Sequence, residues 1–155
     1  MMKFTFKLEK VLDLRKRKEQ ERERELANLK ELLIRAEAFL EELKKEAVKI
    51  SEKMSPLQGE SEERLDIKEL LRYYDYLEGL RRNISLQITQ IKKLITDIEK
   101  KREELIHASK ERKIIEKLKD NQYKKFKKTL DAWEQRFLDE VGTAGYNQKR
   151  RLWKQ

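Results

Sequence analysis

The side chains best able to bind a charged partner are concentrated in the run Lys124, Lys125, Phe126, Lys127 and Lys128, with Tyr123 just before it. Four ammonium groups can neutralise phosphates, and an aromatic ring among them can stack on a base. Such clusters are common, however, and Phe126 also falls on an apolar stripe with Leu130, Trp133, Phe137 and Val141. That spacing favours a core or an interface over a base-stacking platform. A second charged stretch, "RKRKEQERERE" at residues 15–25, holds six cations and four anions. Its glutamates repel phosphate, so alone it is a poor nucleic-acid binder.

Covalent chemistry has little to work with. His107 is the one histidine and there is no cysteine, so neither a multi-histidine nor a thiolate metal site can form. No glycine-rich phosphate loop or G-x-S-x-G nucleophile turn occurs. The carboxylates have lysine and arginine neighbours and no evident pocket. The residues predict no enzyme and no cofactor, with His107 an ordinary surface histidine.

The elements that must position these groups are helices. Charged residues make up 45% of the chain, with four glycines and one proline, against roughly 25% charged in ordinary domains. Leu26, Leu29, Leu33, Ala36, Leu40, Leu43, Ala47, Ile50 and Met54 alternate spacings of three and four over four heptads. A 3.5-residue period is that of a left-handed coiled-coil seam. Phe4, Leu8, Val11 and Leu12 extend the apolar face upstream, predicting one helix over about 4–54. Pro56 and Gly59 then break the pattern, predicting a turn at about 55–65. A second helix over about 66–141 has its seam on Leu70, Tyr74, Leu77, Leu80, Ile84, Ile88, Ile91, Ile95, Ile98 and Leu105. Gly142 and Gly145 predict its end, leaving 142–155 as a frayed basic tail.

One short break between two helices predicts an all-α, antiparallel coiled-coil hairpin, a single rod whose second helix overhangs the first. A turn centred near residue 60 sets Leu43 against Leu77, residues 15–25 against 95–105, and Phe4 near residue 116. Residues 117–141 are then left without an internal partner. Their stripe either packs in a dimer, bends back, or enters a cavity in another protein. Charge gathers at the same end: residues 106–155 hold fourteen cations and seven anions, which suggests an acidic partner, whether nucleic acid, lipid or protein. Residues 15–25 read as a solvated helical shaft, with i,i+3 pairs Lys16–Glu19, Lys18–Glu21, Glu21–Arg24 and Arg22–Glu25 contributing ~0.2–0.5 kcal/mol each. No signal peptide or membrane span is expected, and the chain reads as soluble and cytosolic.

At this point the sequence resembles a known family. "FTFKLEKVLDLRKRKEQERERELA" is similar to the N-terminus of the flagellar export protein FliJ family, through Phe4, Phe6, Leu8, Val11, Leu12, Arg15, Glu19, Leu26 and Ala27. "WEQRFLDEVGTAGYNQK" resembles the same family at Glu134, Gln135, Asp139 and Glu140. The resemblance implies a stalk of the flagellar type III export apparatus, like the coiled coil of a rotary ATPase γ subunit. It implies insertion into the hexameric export ATPase, stimulation of that enzyme, and contacts with the export gate membrane protein and export chaperones. On that reading Lys124, Lys125, Phe126, Lys127, Lys128, Leu130, Trp133 and Phe137 face the ring. The gate contact maps to Phe39, Leu43, Tyr73, Tyr76, Leu77 and Leu80, although Leu43, Leu77 and Leu80 also lie on the seam. Peripheral membrane association through partners is implied, and no nucleic acid. The alternatives are an injectisome stalk, a basic coiled coil that binds nucleic acid, and a homodimeric scaffold.

Overall fold

The computed structural model describes residues 2–57 and 67–153. Two helices, α1 (Glu9–Leu57) and α2 (Ile67–Leu152), pack against each other, and no strand occurs among the described residues. This is an all-α two-helix hairpin. Chain contacts divide it into two units, one of Gln20–Ile106 and one of Met1–Glu19 with His107–Gln155.

In the unit of Gln20–Ile106 the helices run antiparallel, with Tyr76 meeting Glu46, Gln87 meeting Ala36 and Lys101 meeting Glu25. Its core joins Ile50, Met54, Leu77 and Leu80, with Leu43, Ala47, Leu70 and Tyr73 packed against them. Every seam position expected on α1 from Leu29 to Met54 is at least half-buried, and so is Leu26. The α2 seam differs from expectation in three places. Tyr73, Gln87 and Leu94 turn inward, whereas Tyr74 and Ile95 are 51% and 44% exposed and Ile88 is at the surface. Strict alternation of three and four from Leu70 selects 73, 77, 80, 84, 87, 91, 94 and 98. An isoleucine one position off that series cannot face α1, however apolar it is.

Gln87 is thus a buried polar side chain on an otherwise apolar seam. Its Nε2 donates to the Ala36 carbonyl at 3.0 Å. A buried amide needs such a partner, and the short Ala36 side chain leaves the carbonyl reachable. The same small residue opens a groove of about 440 Å³ lined by Leu32, Gln90, Lys93, Leu94 and Asp97. Gly79 lies inside α2, where a methyl group would meet nothing within 4 Å. Packing within the chain therefore does not explain a residue that costs up to ~1 kcal/mol relative to alanine in a helix.

In the unit of Met1–Glu19 with His107–Gln155, Leu12 is 1% exposed and Ala108 is also buried. Residues 2–8 are not helical, which corrects the expected start near Phe4. The Glu9 amide bonds the Phe6 carbonyl at 3.2 Å, closing a turn into α1. Phe6 is buried, with the Lys119 ammonium 6.0 Å above its ring, while Leu8 is at the surface. Phe4 meets Tyr123 and Phe126 at ring-centroid distances of 5.3 and 5.6 Å, well beyond the expected residue 116. An extended residue spans about 3.3 Å and a helical one 1.5 Å. The few residues before α1 therefore reach about 9 Å further along α2 than a helical turn would.

Both helix ends expected from proline and glycine are displaced. α1 continues through Pro56 to Leu57, and α2 continues through Gly142 and Gly145 to Leu152. No glycine among the described residues has positive φ. Glycine lowers helix stability without forbidding the conformation, and the Thr143 hydroxyl donates back to the Asp139 and Glu140 carbonyls. Gly59 lies outside the described residues.

Candidate functional site

The α2 stripe emerges as the segment before α1 runs out. Phe126 and Leu130 are half-buried, and from residue 131 to Trp153 every side chain is exposed. The uncovered stretch thus begins near residue 127 rather than 117, because Phe4 covers Phe126. Trp133 and Phe137 are 53% and 52% exposed. Their rings stack on each other, with centroids 5.8 Å apart and planes 13° from parallel. One turn separates them along the helix, so they form a single aromatic plate, with Val141 exposed beyond it. Lys124, Lys125, Lys127 and Lys128 are all exposed around Phe126. A partner with an apolar recess and acidic walls fits this arrangement.

The six residues expected near the gate separate into two groups. Phe39 and Tyr76 are exposed, and the Tyr76 hydroxyl donates to Glu46 at 3.1 Å, which raises its pKa. Leu43, Tyr73, Leu77 and Leu80 belong to the core cluster.

The charged stretch 15–25 is a layer of the seam itself. Arg15, Glu19 and Arg22 continue the three-four spacing between Leu12 and Leu26, and each is half-buried. Arg22 pairs with Glu25 at 2.9 Å and with Glu104 at 3.5 Å, and Lys101 pairs with both glutamates at 3.0 Å. Two cations and two anions thus alternate in a closed ring across the helices. In the other unit Glu111 is 2.5 Å from Arg15 and 3.8 Å from Lys18, while Arg112 holds Glu19 and Glu116. Lys119 pairs with Glu9 at 2.8 Å, and His107, at the surface, lies 3.6 Å from Glu111.

Arg22 and Glu25 therefore meet Glu104 and Lys101, within the expected 95–105 but about six residues on from their expected partners, while in the other unit Arg15 and Glu19 meet Glu111 and Arg112, beyond that range. Side chains lean toward the N-terminus of their own helix, which shifts antiparallel contacts by about two residues. The reach of Arg, Lys and Glu adds to that shift. Of the pairs expected along α1, Arg22–Glu25 forms, whereas Glu19 meets Arg112 across the hairpin.

These pairs set a pH dependence. Hydrogen bonds from Arg22 and then Lys101 hold the Glu25 carboxyl below its ordinary value of 4.5. Lys101 does the same to Glu104, and Arg15 to Glu111. The bond to Glu104, then that to Glu25, raises the Lys101 ammonium. A carboxylate with a depressed folded pKa stabilises the fold fully above its unfolded value and loses that effect as pH falls through the folded value. The thermal midpoint is expected to fall between about pH 5 and pH 3. A Glu25→Gln/Glu104→Gln chain should show a flatter fall, and an unchanged slope would remove the ring from the account.

A family model described as flagellar FliJ protein matches residues 2–151. No match was found among curated proteins or solved structures.

Proposed function

Because the chain belongs to the flagellar FliJ protein family, and is thereby a flagellar export component, we propose that it acts as a stalk for the hexameric export ATPase. The far end of α2 enters the ring and raises its rate of ATP hydrolysis. The observation that carries this reading is the uncovered plate of Trp133 and Phe137, beyond the last residue that Phe4 covers. Exposed stacked aromatics on a helix with no partner of its own are anchors for a pocket elsewhere. Lys124, Lys125, Lys127 and Lys128 meet acidic groups at the mouth of the ring, with Phe126 and Leu130 completing the contact.

The export gate is reached through the other unit. Phe39 and Tyr76 make the contact there, while Leu43, Tyr73, Leu77 and Leu80 hold the two helices beneath them. The chain also contacts export chaperones and operates in the cytoplasm, held peripherally at the membrane by its partners.

The test is ATP hydrolysis by the cognate export ATPase, titrated with the full chain and with a chain ending at Lys128. That truncation keeps Phe4, Tyr123 and Phe126 together. Stimulation by the full chain and none by the shorter one is the expected result. Equal stimulation by both would move the working surface off the uncovered stretch.

A further inference from the structure

We propose that the last turns of α2, residues 141–152 with Trp153, lie on an anionic lipid surface. The helix continues through Gly142 and Gly145, so this segment is a helical face rather than a loose tail. At 3.6 residues per turn, Leu138, Val141, Gly145 and Leu152 fall within about 60° of one another. Tyr146 and Trp153 flank that arc on one side. Thr143, Asn147, Arg150 and Arg151 occupy the opposite side of the helix.

Three observations point to lipid. Residues 141–155 hold Lys149, Arg150, Arg151 and Lys154 and no carboxylate, unlike residues 15–25, where anions dilute the cations. Tyr146, Leu152 and Trp153 are 69%, 69% and 89% exposed, with nothing among the described residues covering them. Tryptophan and tyrosine beside cations on an amphipathic helix suit the boundary between headgroups and acyl chains. Lys149 lies on the edge of the apolar arc, where its long stem can carry the ammonium out to the headgroups. Nucleic acid would use the cations and leave the apolar arc in water. The arrangement at Lys124–Lys128 is different, since the apolar side opposite those four cations carries Phe126, which Phe4 already covers. Among the described residues no helix is long and apolar enough to cross a membrane, so the contact is peripheral. It uses residues beyond the ring-facing plate, so a chain seated on lipid is one whose α2 has not entered the ring, and either reading can fail without the other.

The chain has two tryptophans, so a Trp133→Phe background isolates the emission of Trp153. This chain is titrated with vesicles of phosphatidylcholine alone and with vesicles containing phosphatidylserine. A blue shift and co-sedimentation are expected with the anionic vesicles only, weakening as salt rises. Each basic residue near such a surface contributes a factor of about five. Arg150→Gln/Arg151→Gln should therefore weaken binding about 30-fold, and Leu152→Asp should abolish the blue shift. Three results would each overturn the proposal. The first is no blue shift on anionic vesicles. The second is vesicle binding unchanged by the double arginine variant, which would place the contact at another cationic segment. The third is binding to a DNA duplex with the same arginine dependence and no response to lipid.

Discussion

Leu12→Ala is expected to lower the free energy of unfolding by about 3 kcal/mol, the largest loss from any single truncation in the unit of Met1–Glu19 with His107–Gln155. Leu12 is 1% exposed, and truncating a leucine that deeply placed removes both its transfer free energy and its packing. The hydrophobic seam there is thin. Arg15 and Glu19 occupy the next two inward positions, so within this unit no apolar residue follows Leu12 on the α1 seam. Leu14, two residues away and 66% exposed, provides the control, and Leu14→Ala should stay within about 0.5 kcal/mol. Urea denaturation measures both. Hydrogen exchange should show faster opening of the first turns of α1 in the Leu12 variant, because Phe4 and Phe6 are held by the same segment. A loss below about 1 kcal/mol would mean that the unit collapses around the gap.

The second large effect concerns function. Trp133→Asp combined with Phe137→Asp should weaken binding to the export ATPase on the order of 100-fold or more. Stimulation at sub-saturating concentration should disappear. Both rings are more than half exposed and stack mainly on each other, so the thermal midpoint should not move. That separation gives the experiment its force. Loss of stimulation with an unchanged midpoint assigns the plate to the partner. Loss of both would assign it to the fold. An unchanged affinity would leave the lysines around Phe126 to be tested by charge reversal.

The α1 seam was legible because large aliphatic residues sit at nearly every inward position from Leu26 to Met54, and spacing and apolarity agree. On α2 they part company. Ile88 and Ile95 attract the eye, yet the inward neighbours are Gln87 and Leu94. Keeping the spacing strict and letting a polar residue stand on the seam would have found Gln87. The ionic layer at Arg15, Glu19 and Arg22 was visible as a continuation of the spacing, but its cross-helix partners were not. Those depend on side-chain lean and reach, which a symmetric register omits. Helical spacing over residues 4–8 hides Phe6, because an extended segment turns alternate residues inward. Gly142 and Gly145 do not end the helix, for a different reason. Glycine is a frequent helix terminator, but neither position adopts the positive φ that makes it one. The uncovered stripe itself was legible, since no apolar pattern of sufficient length remained on α1 to cover it.

The bond from Gln87 to the Ala36 carbonyl has a mechanical side. If the two helices slid past each other by one heptad, Gln87 would come level with Leu29 or Leu43. A leucine is bulkier than an alanine and holds a facing side chain off the backbone, so the amide would be stranded among hydrocarbon at a cost of about 1–3 kcal/mol. Axial shear between the helices is therefore opposed at one layer by a contact that has no equivalent a heptad away. Two plies free to slip bend as two thin strips, whereas two plies pinned together bend as one thicker beam. A single glutamine thus makes this part of the hairpin stiffer against lateral load than its hydrophobic seam alone.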